Sequence, residues 1–328
     1  MSRRPRTLPA ELGATFTPAQ ARAEGVTARR LRAQDLERPF RGLVVVRPTE
    51  PERETNEDSS PFARDRAKRE EVLRLARIYR PLMSQHAFFI GRTAAVLHGL
   101  PVAPAKHLEV GVCAPHRAPR RRGITGRQIA PQLVSVREID GLRVTGPVAT
   151  WATLATMLSV RELIAVGDAV VRVPRDTWGH RRPEQALSTI DQLHAVVAAG
   201  RRPGLRKLCE ALPRIRVGSA SPLETDYRVD AESAGLPEAE LDVEIRDSGG
   251  RLLGISEFFY REFGLVVEVE GDHHRTSREQ RNRDIEKYAA YTAIGVEAVR
   301  LTSAHIRGVN PRATEMVRTA LIRRGWRP

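Results

Sequence analysis

The sequence predicts a multi-domain α/β protein, and three observations predict it. The chain has 328 residues, more than a single hydrophobic core usually serves. A stretch poor in apolar residues and rich in proline, acids, serine and asparagine, 48–65, separates a short N-terminal segment from the rest. From residue 218 onward, helical and strand periodicities follow in the order helix, three strands, helix, strand, helix, the pattern of a small layered α/β unit.

Taken in order, residues 1–47 read as a winged helix-turn-helix. Thr17 and Pro18 make a helix start, an N-cap followed by proline at the first helical position, and Gly25 ends the helix. A second helix capped by Thr27 is expected through Arg29, Arg30, Leu31, Arg32 and Leu36, with Phe40 to Val46 as the wing. That is the spacing of a DNA-reading helix pair, which makes Arg29, Arg30 and Arg32 candidate nucleic-acid contacts; any basic helical hairpin has a similar pattern. Residues 48–65 are a linker.

Residues 66–200 read as an α+β middle domain. It opens on a helix with Val72, Leu75, Ala76 and Tyr79 on its apolar stripe, and strands are expected at 88–90, 108–112 and 142–144. A helix over 93–98 ends at Gly99, and helices are expected at 148–158 and 160–171. His98 at a helix C-terminus suits an imidazole with a carbonyl partner. Asp168, on an otherwise apolar helix, is expected to be solvated or capping, with a functional role as the alternative. A break falls at Asp176 to Pro183, and residues 201–217 connect to the terminal domain, 218–328.

The net charge is +14, and the basic excess is almost all arginine, whose fork suits phosphate. A GC-rich gene accounts for arginine in place of lysine, but less well for the net charge. Nucleic acid is therefore the expected partner. The two cysteines, Cys113 and Cys209, fit neither a zinc site nor a disulfide framework. No apolar run follows Met1 to Pro5, and nothing approaches the roughly 18 apolar residues of a spanning helix. A cytoplasmic protein without a membrane partner is expected.

In the terminal domain, Ser221-Pro222-Leu223-Glu224 starts a helix running to about Ser233. Strands are expected at 241–246, 251–260 and 265–270, with Asp247 to Gly250 as a hairpin turn. A helix over 277–294, a strand over 296–301 and a helix over 310–324 complete it. The richest stretch is Val266-Val267-Glu268-Val269-Glu270-Gly271-Asp272-His273-His274. Side chains alternate along a strand, so Glu268 and Glu270 share a face. Like charges there call for a cation or a proton between them, and acids with a nearby imidazole suit a hard divalent ion. Glu257 is eleven residues before Glu268, within reach across a tight turn, and Glu224 adds a third carboxylate. Each has a plainer reading: Glu268 and Glu270 as a face paired with arginine, Glu257 as an edge-strand charge, and Glu224 as a capping acid.

These residues carry a family resemblance. Residues of about 218–325 resemble the domain of unknown function related to the very-short-patch-repair endonucleases, within the PD-(D/E)xK restriction-endonuclease-like superfamily. The likeness lies in Ser221 to Glu224, Glu257, Glu268-Val269-Glu270-Gly271, His274, Arg283-Asp284 and Arg300-Leu301-Thr302. It implies a restriction-endonuclease-like α/β/α domain in which Mg²⁺, or Mn²⁺ in its place, activates water against a phosphodiester. By that resemblance the catalytic residues are Glu224, Glu257, Glu268 and His274, and the metal ligands Glu257, Glu268, Val269 and Glu224. Arg275, Arg278, Arg281 and Arg283 are the expected backbone contacts.

Three departures stand out: Glu257 is one methylene longer than the motif aspartate, Glu270 replaces an aspartate, and no lysine follows Glu268 at the usual spacing. The repair-type relatives use histidine instead of that lysine. The N-terminal part, including Arg92 to Leu100, resembles antitoxin-type winged-helix proteins of abortive-infection systems. That implies DNA and a protein from a defence or toxin-antitoxin system as partners. The expected function is a Mg²⁺-dependent DNA endonuclease of repair or phage defence. The alternative is a DNA-binding antitoxin-type regulator with a non-cleaving nuclease-like domain.

Overall fold

The computed structural model describes residues 6–47, 61–270 and 278–328. The chain divides into two compact units, Met1–Thr150 and Trp151–Pro328. The stretch expected as a middle domain is thus split at Thr150, its strands going to the first unit and its later helices to the second. No described helix is long and apolar enough to cross a membrane.

In the first unit, β1 (Thr15–Phe16), α1 (Pro18–Ala23), β2 (Leu36–Glu37) and β3 (Val44–Val46) form a small sheet of order β1-β3-β2 with one helix. The α1 start is as read: Thr17 and Gln20 make a reciprocal capping box, with Pro18 in the first turn. The second helix does not form. Arg30–Arg32 make a single 3₁₀ turn instead. Thr27 Oγ1 accepts from Arg30 N and so caps this turn as expected, but the chain leaves the helical path after it, and the Arg30 guanidinium grips both oxygens of Asp35. Leu31 is buried with Phe16, Ala21 and Val44.

The helix α2 (Pro61–Tyr79) begins inside the expected linker; residues 48–60 lie outside the described residues. It is followed by β4 (Ala87–Phe89), α3 (Gly91–Leu97), β5 (Leu108–Cys113), β6 (Ile124–Ile129), β7 (Val136–Ile139) and β8 (Leu142–Thr145). These strands form a sheet of order β6-β5-β4-β8-β7, closed over a core of Ala76, Tyr79, Phe89, Ala94, Val110 and Val144. His98 has the expected carbonyl partner: its Nε2 donates to Thr145 O at 2.7 Å.

The helix α4 (Pro147–Leu154) crosses into the second unit, which continues with α5 (Val160–Val171), α6 (Ile190–Ala198), α7 (Leu205–Ala211) and α8 (Pro222–Ser233). Asp168 on α5 is neither solvated nor capping. It is 1% exposed and accepts from Arg216 N, Thr225 Oγ1 and Arg228 Nη2 at 2.7–2.8 Å. Its partners lie 48–60 residues away in sequence, which local pattern cannot register.

Then come β9 (Glu240–Arg246), β10 (Leu252–Tyr260), β11 (Leu265–Glu270), α9 (Arg278–Ala293), β12 (Glu297–Thr302), α10 (Ser303–Arg307) and α11 (Ala313–Arg323). The sheet order is β12-β11-β10-β9; β9, β10 and β11 are antiparallel, and β12 runs parallel to β11. Alternation along the strands builds a three-layer sandwich. Phe258, Tyr260, Leu265, Val267 and Leu301 pack with Tyr227 of α8 and Val317 of α11. Phe259, Val266 and Ile245 meet Tyr291 of α9 on the other face. The element order expected from the sequence is the one found, with α10 as an added short helix.

Candidate functional site

The β10–β11 ladder pairs Phe258 with Val267, so one step further Glu257 stands across from Glu268. The Glu257 carboxylate accepts from Val269 N, which ties it to the neighbouring strand. Glu268 is 7% exposed. Glu224, in the first turn of α8, is 4% exposed and accepts from Ala220 N at 2.7 Å, while Ser221 Oγ accepts from Glu224 N at 3.2 Å. It therefore fills its capping role, reaching one residue beyond the N-cap, and also lies within the field of the other two acids. Burial first, then the charge of Glu224, pushes the Glu257 carboxyl up to about 9. Burial likewise raises Glu224 and Glu268, with Glu268 acting on Glu224 as a further, smaller cause. Three carboxylates in one low-dielectric place cannot all ionise without a compensating cation.

One cation is supplied by the chain itself. Lys287, on α9, donates to Glu268 Oε1 and to Ile255 O, each at 2.9 Å. No lysine was expected in this site from the sequence. A signal existed: the chain has only four lysines among its many arginines, and Lys287 lies on the helix that follows the acidic strand. Room for it comes from Gly254, where a Cβ would stand 3.0 Å from Lys287 Cε and 2.5 Å from Tyr291 Oη. The Tyr291 hydroxyl is buried with no hydrogen-bond partner among the described residues. Burial, and then the charge of Glu268, raises that hydroxyl well above the ordinary phenol range, so it remains a donor.

The other sequence candidates fall differently. Glu270 shares its face with Glu268 as expected, but it pairs with Arg300 at the strand end. Val269 serves through its N–H, as the donor to Glu257. His273, His274 and Arg275 lie outside the described residues, as do the side chains of Arg278 and Arg281. Arg283 is exposed on α9, and Asp284 one turn before Lys287 acts electrostatically on Glu268. Among the described residues, no group of three or more His, Cys, Asp and Glu side chains converges as a ready metal cage. The acids instead rest on N–H groups and on Lys287. What favours a cation here is charge: Glu224 and Glu268 are buried, Glu257 is half-buried, and the three act on one another electrostatically beside a single lysine.

In the first unit the arginines gather elsewhere than on a helix. A groove of about 670 Å³ is lined by Arg22, Arg32, Arg38, Arg41 and Arg122, with no acidic residue in its lining. Arg32 is there, and Arg29 is exposed beside the turn. Arg30, by contrast, is turned inward to Asp35, its side chain 11% exposed.

No protein-family model matches this chain, and no curated protein sequence is similar to it.

Proposed function

We propose that the protein is a divalent-metal-dependent nuclease acting on DNA, with its chemistry in the second unit and a backbone-binding groove in the first. The observation that carries this reading is the opposition of Glu257 and Glu268 on neighbouring strands, with Glu224 and Lys287 beside them. The resemblance of residues 218–325 to the very-short-patch-repair-related domain supports the same reading. Glu257 and Glu268, with Glu224 nearby, would hold Mg²⁺ or Mn²⁺. Bound there, such an ion lowers the pKa of its water and offsets phosphate charge. Lys287 orients Glu268 and favours its charged form, and its ammonium would also be available to a phosphate oxygen. The Tyr291 hydroxyl holds its proton as a donor. The arginine groove supports DNA as substrate, since phosphate contacts set affinity and register.

The test is nicking of supercoiled plasmid by the purified chain in Mg²⁺ or Mn²⁺, beside Glu268→Ala and Glu257→Ala. Cleavage by the wild type that both variants lose is expected; cleavage no greater than in the variants removes the reading. A second reading, a DNA-binding regulator whose second unit does not cut, is favoured by the engagement of Glu257 with Val269 N and of Glu268 with Lys287. It predicts groove-dependent DNA binding without nicking under any metal condition.

A further inference from the structure

The segment Asp176 to Pro183 reads in the sequence as a break between domains, yet in the structure it is a pinned hairpin. Asp176 N donates to His180 O at 2.9 Å, and Asp176 Oδ1 accepts from Trp178 N and His180 N, both at 2.9 Å. Arg175 donates to Asp242 Oδ1 at 2.7 Å, to Asp242 O at 2.9 Å and to Glu244 Oε1 at 3.1 Å. Arg181 adds bonds to Asp242 O at 2.8 Å and Asp242 Oδ2 at 3.1 Å. The anchor itself is an unusual residue, a non-glycine at φ 54° within β9. At the tip, Trp178 is 80% exposed, whereas Trp151 is fully buried. A large aromatic ring is thus held out to solvent on a rigid support.

Its place in the fold gives it a role. In the β9–β10 ladder, Val243 pairs with Ser256 and Leu241 with Phe258, so Asp242 falls opposite Glu257, which in turn faces Glu268. Anchor and carboxylates occupy one rung of adjacent strands, and neighbouring strands are about 4.8 Å apart. The loop also touches the site's support. A Cβ on Gly179 would stand 3.1 Å from Ile255 Cδ1, and the Ile255 carbonyl is the one Lys287 grips.

We propose that Trp178 is a stacking platform for an unpaired base of the nucleic acid whose phosphodiester enters the carboxylate site. That occupant is the DNA strand of the proposed function, on which this inference rests. A flat apolar ring on a loop anchored to the strand next to that of Glu257 finds its complementary surface in the face of a nucleobase, and stacking of this kind tolerates any sequence. Trp178 selects single-stranded or locally opened DNA over paired duplex, because only an extruded base presents both faces.

The test uses the full chain in EDTA, so that binding is read without cleavage and stands apart from the nuclease reading. Tryptophan emission is followed while a short single-stranded oligonucleotide, a duplex of the same sequence, or inorganic polyphosphate is added. Affinity is read in parallel by anisotropy of a labelled strand. The single strand is expected to quench the emission, the duplex of the same sequence to quench it less, and polyphosphate to leave it unchanged. Trp178→Phe is expected to abolish the quench while holding affinity within about two-fold. Trp178→Ala is expected to weaken single-strand binding about ten-fold with an unchanged melting temperature. Equal quenching by polyphosphate, an undiminished quench in Trp178→Phe, or full single-strand affinity in Trp178→Ala would overturn the proposal. If binding and quenching follow the expectation while plasmid nicking is absent, the platform stands and the catalytic reading alone fails.

Discussion

Lys287→Met is the sharpest probe of the buried acid cluster. Lys287 and Glu268 keep 22% and 10% of their side-chain surface exposed, so water screens the pair weakly. Removing one partner of a buried pair costs about 3–5 kcal/mol when the other charge is stranded. Here Glu268 has an escape, because it can take up a proton, so we expect about 2–3 kcal/mol at pH 7, including the bond to Ile255 O that the variant cannot make. For a unit of this size that is a fall of roughly 5–10 °C in melting temperature. The pH dependence has a definite sign. Burial already raises the Glu268 carboxyl, and Lys287 is the largest influence holding it down. Without the lysine the folded state binds its proton more tightly than the unfolded state does. The variant's deficit is therefore smallest near the ordinary carboxylate range and grows as pH rises through the raised folded value. Melting in EDTA from pH 5 to 8, for Lys287→Met, Glu268→Gln and the double variant, measures it. The double variant should recover most of the loss of Lys287→Met. A pH-independent deficit, or strictly additive effects, would refute the argument that the pair is coupled and buried.

Asp168→Ala strands the Arg228 guanidinium, whose side chain is 12% exposed, together with two other donors, and is expected to cost about 3–5 kcal/mol in urea unfolding; a loss below about 1 kcal/mol would contradict the network. Burial depresses His98, whose Nε2–H donates to Thr145 O while Nδ1 accepts from Arg137 at 3.0 Å. The folded state thus resists protonation that the unfolded chain accepts, so stability should fall as pH drops below about 6.5, and His98→Gln should flatten that slope in pH-dependent melting. Arg32→Ala and Arg122→Ala should each lower DNA affinity and reduce the salt slope by about 0.9 for each phosphate no longer neutralised, whereas Arg30→Ala should lower thermal stability and leave the slope intact.

Much of the second unit's fold was legible because its signals are local. The Ser221-Pro222 start, the Asp247 to Gly250 turn and the alternation of Leu265 to Glu270 each dictate an element within a few residues. The opposition of Glu257 and Glu268 followed from the short turn between their strands. What stayed hidden depends on residues far apart in the chain. Lys287 reaches Glu268 only once α9 is laid on the sheet, Asp168 meets partners from α8, and the Trp178 loop is fixed by an aspartate more than sixty residues on. In the first unit the expected reading helix is cut to a single turn, and spacing did not reveal that Arg30 turns to Asp35. Glu270 followed the strand alternation correctly, but its place at the strand end gave it to Arg300.

The central claim is that Glu257 and Glu268, with Glu224 beside them, grip a divalent cation. Mn²⁺ titration followed by the electron paramagnetic resonance of the free ion tests it most directly, on the wild type, Glu257→Gln and Glu268→Gln. The account predicts one bound Mn²⁺ per chain in the wild type and affinity reduced at least about ten-fold in either variant. A wild type that leaves the ion free, or variants that bind it equally well, would contradict it.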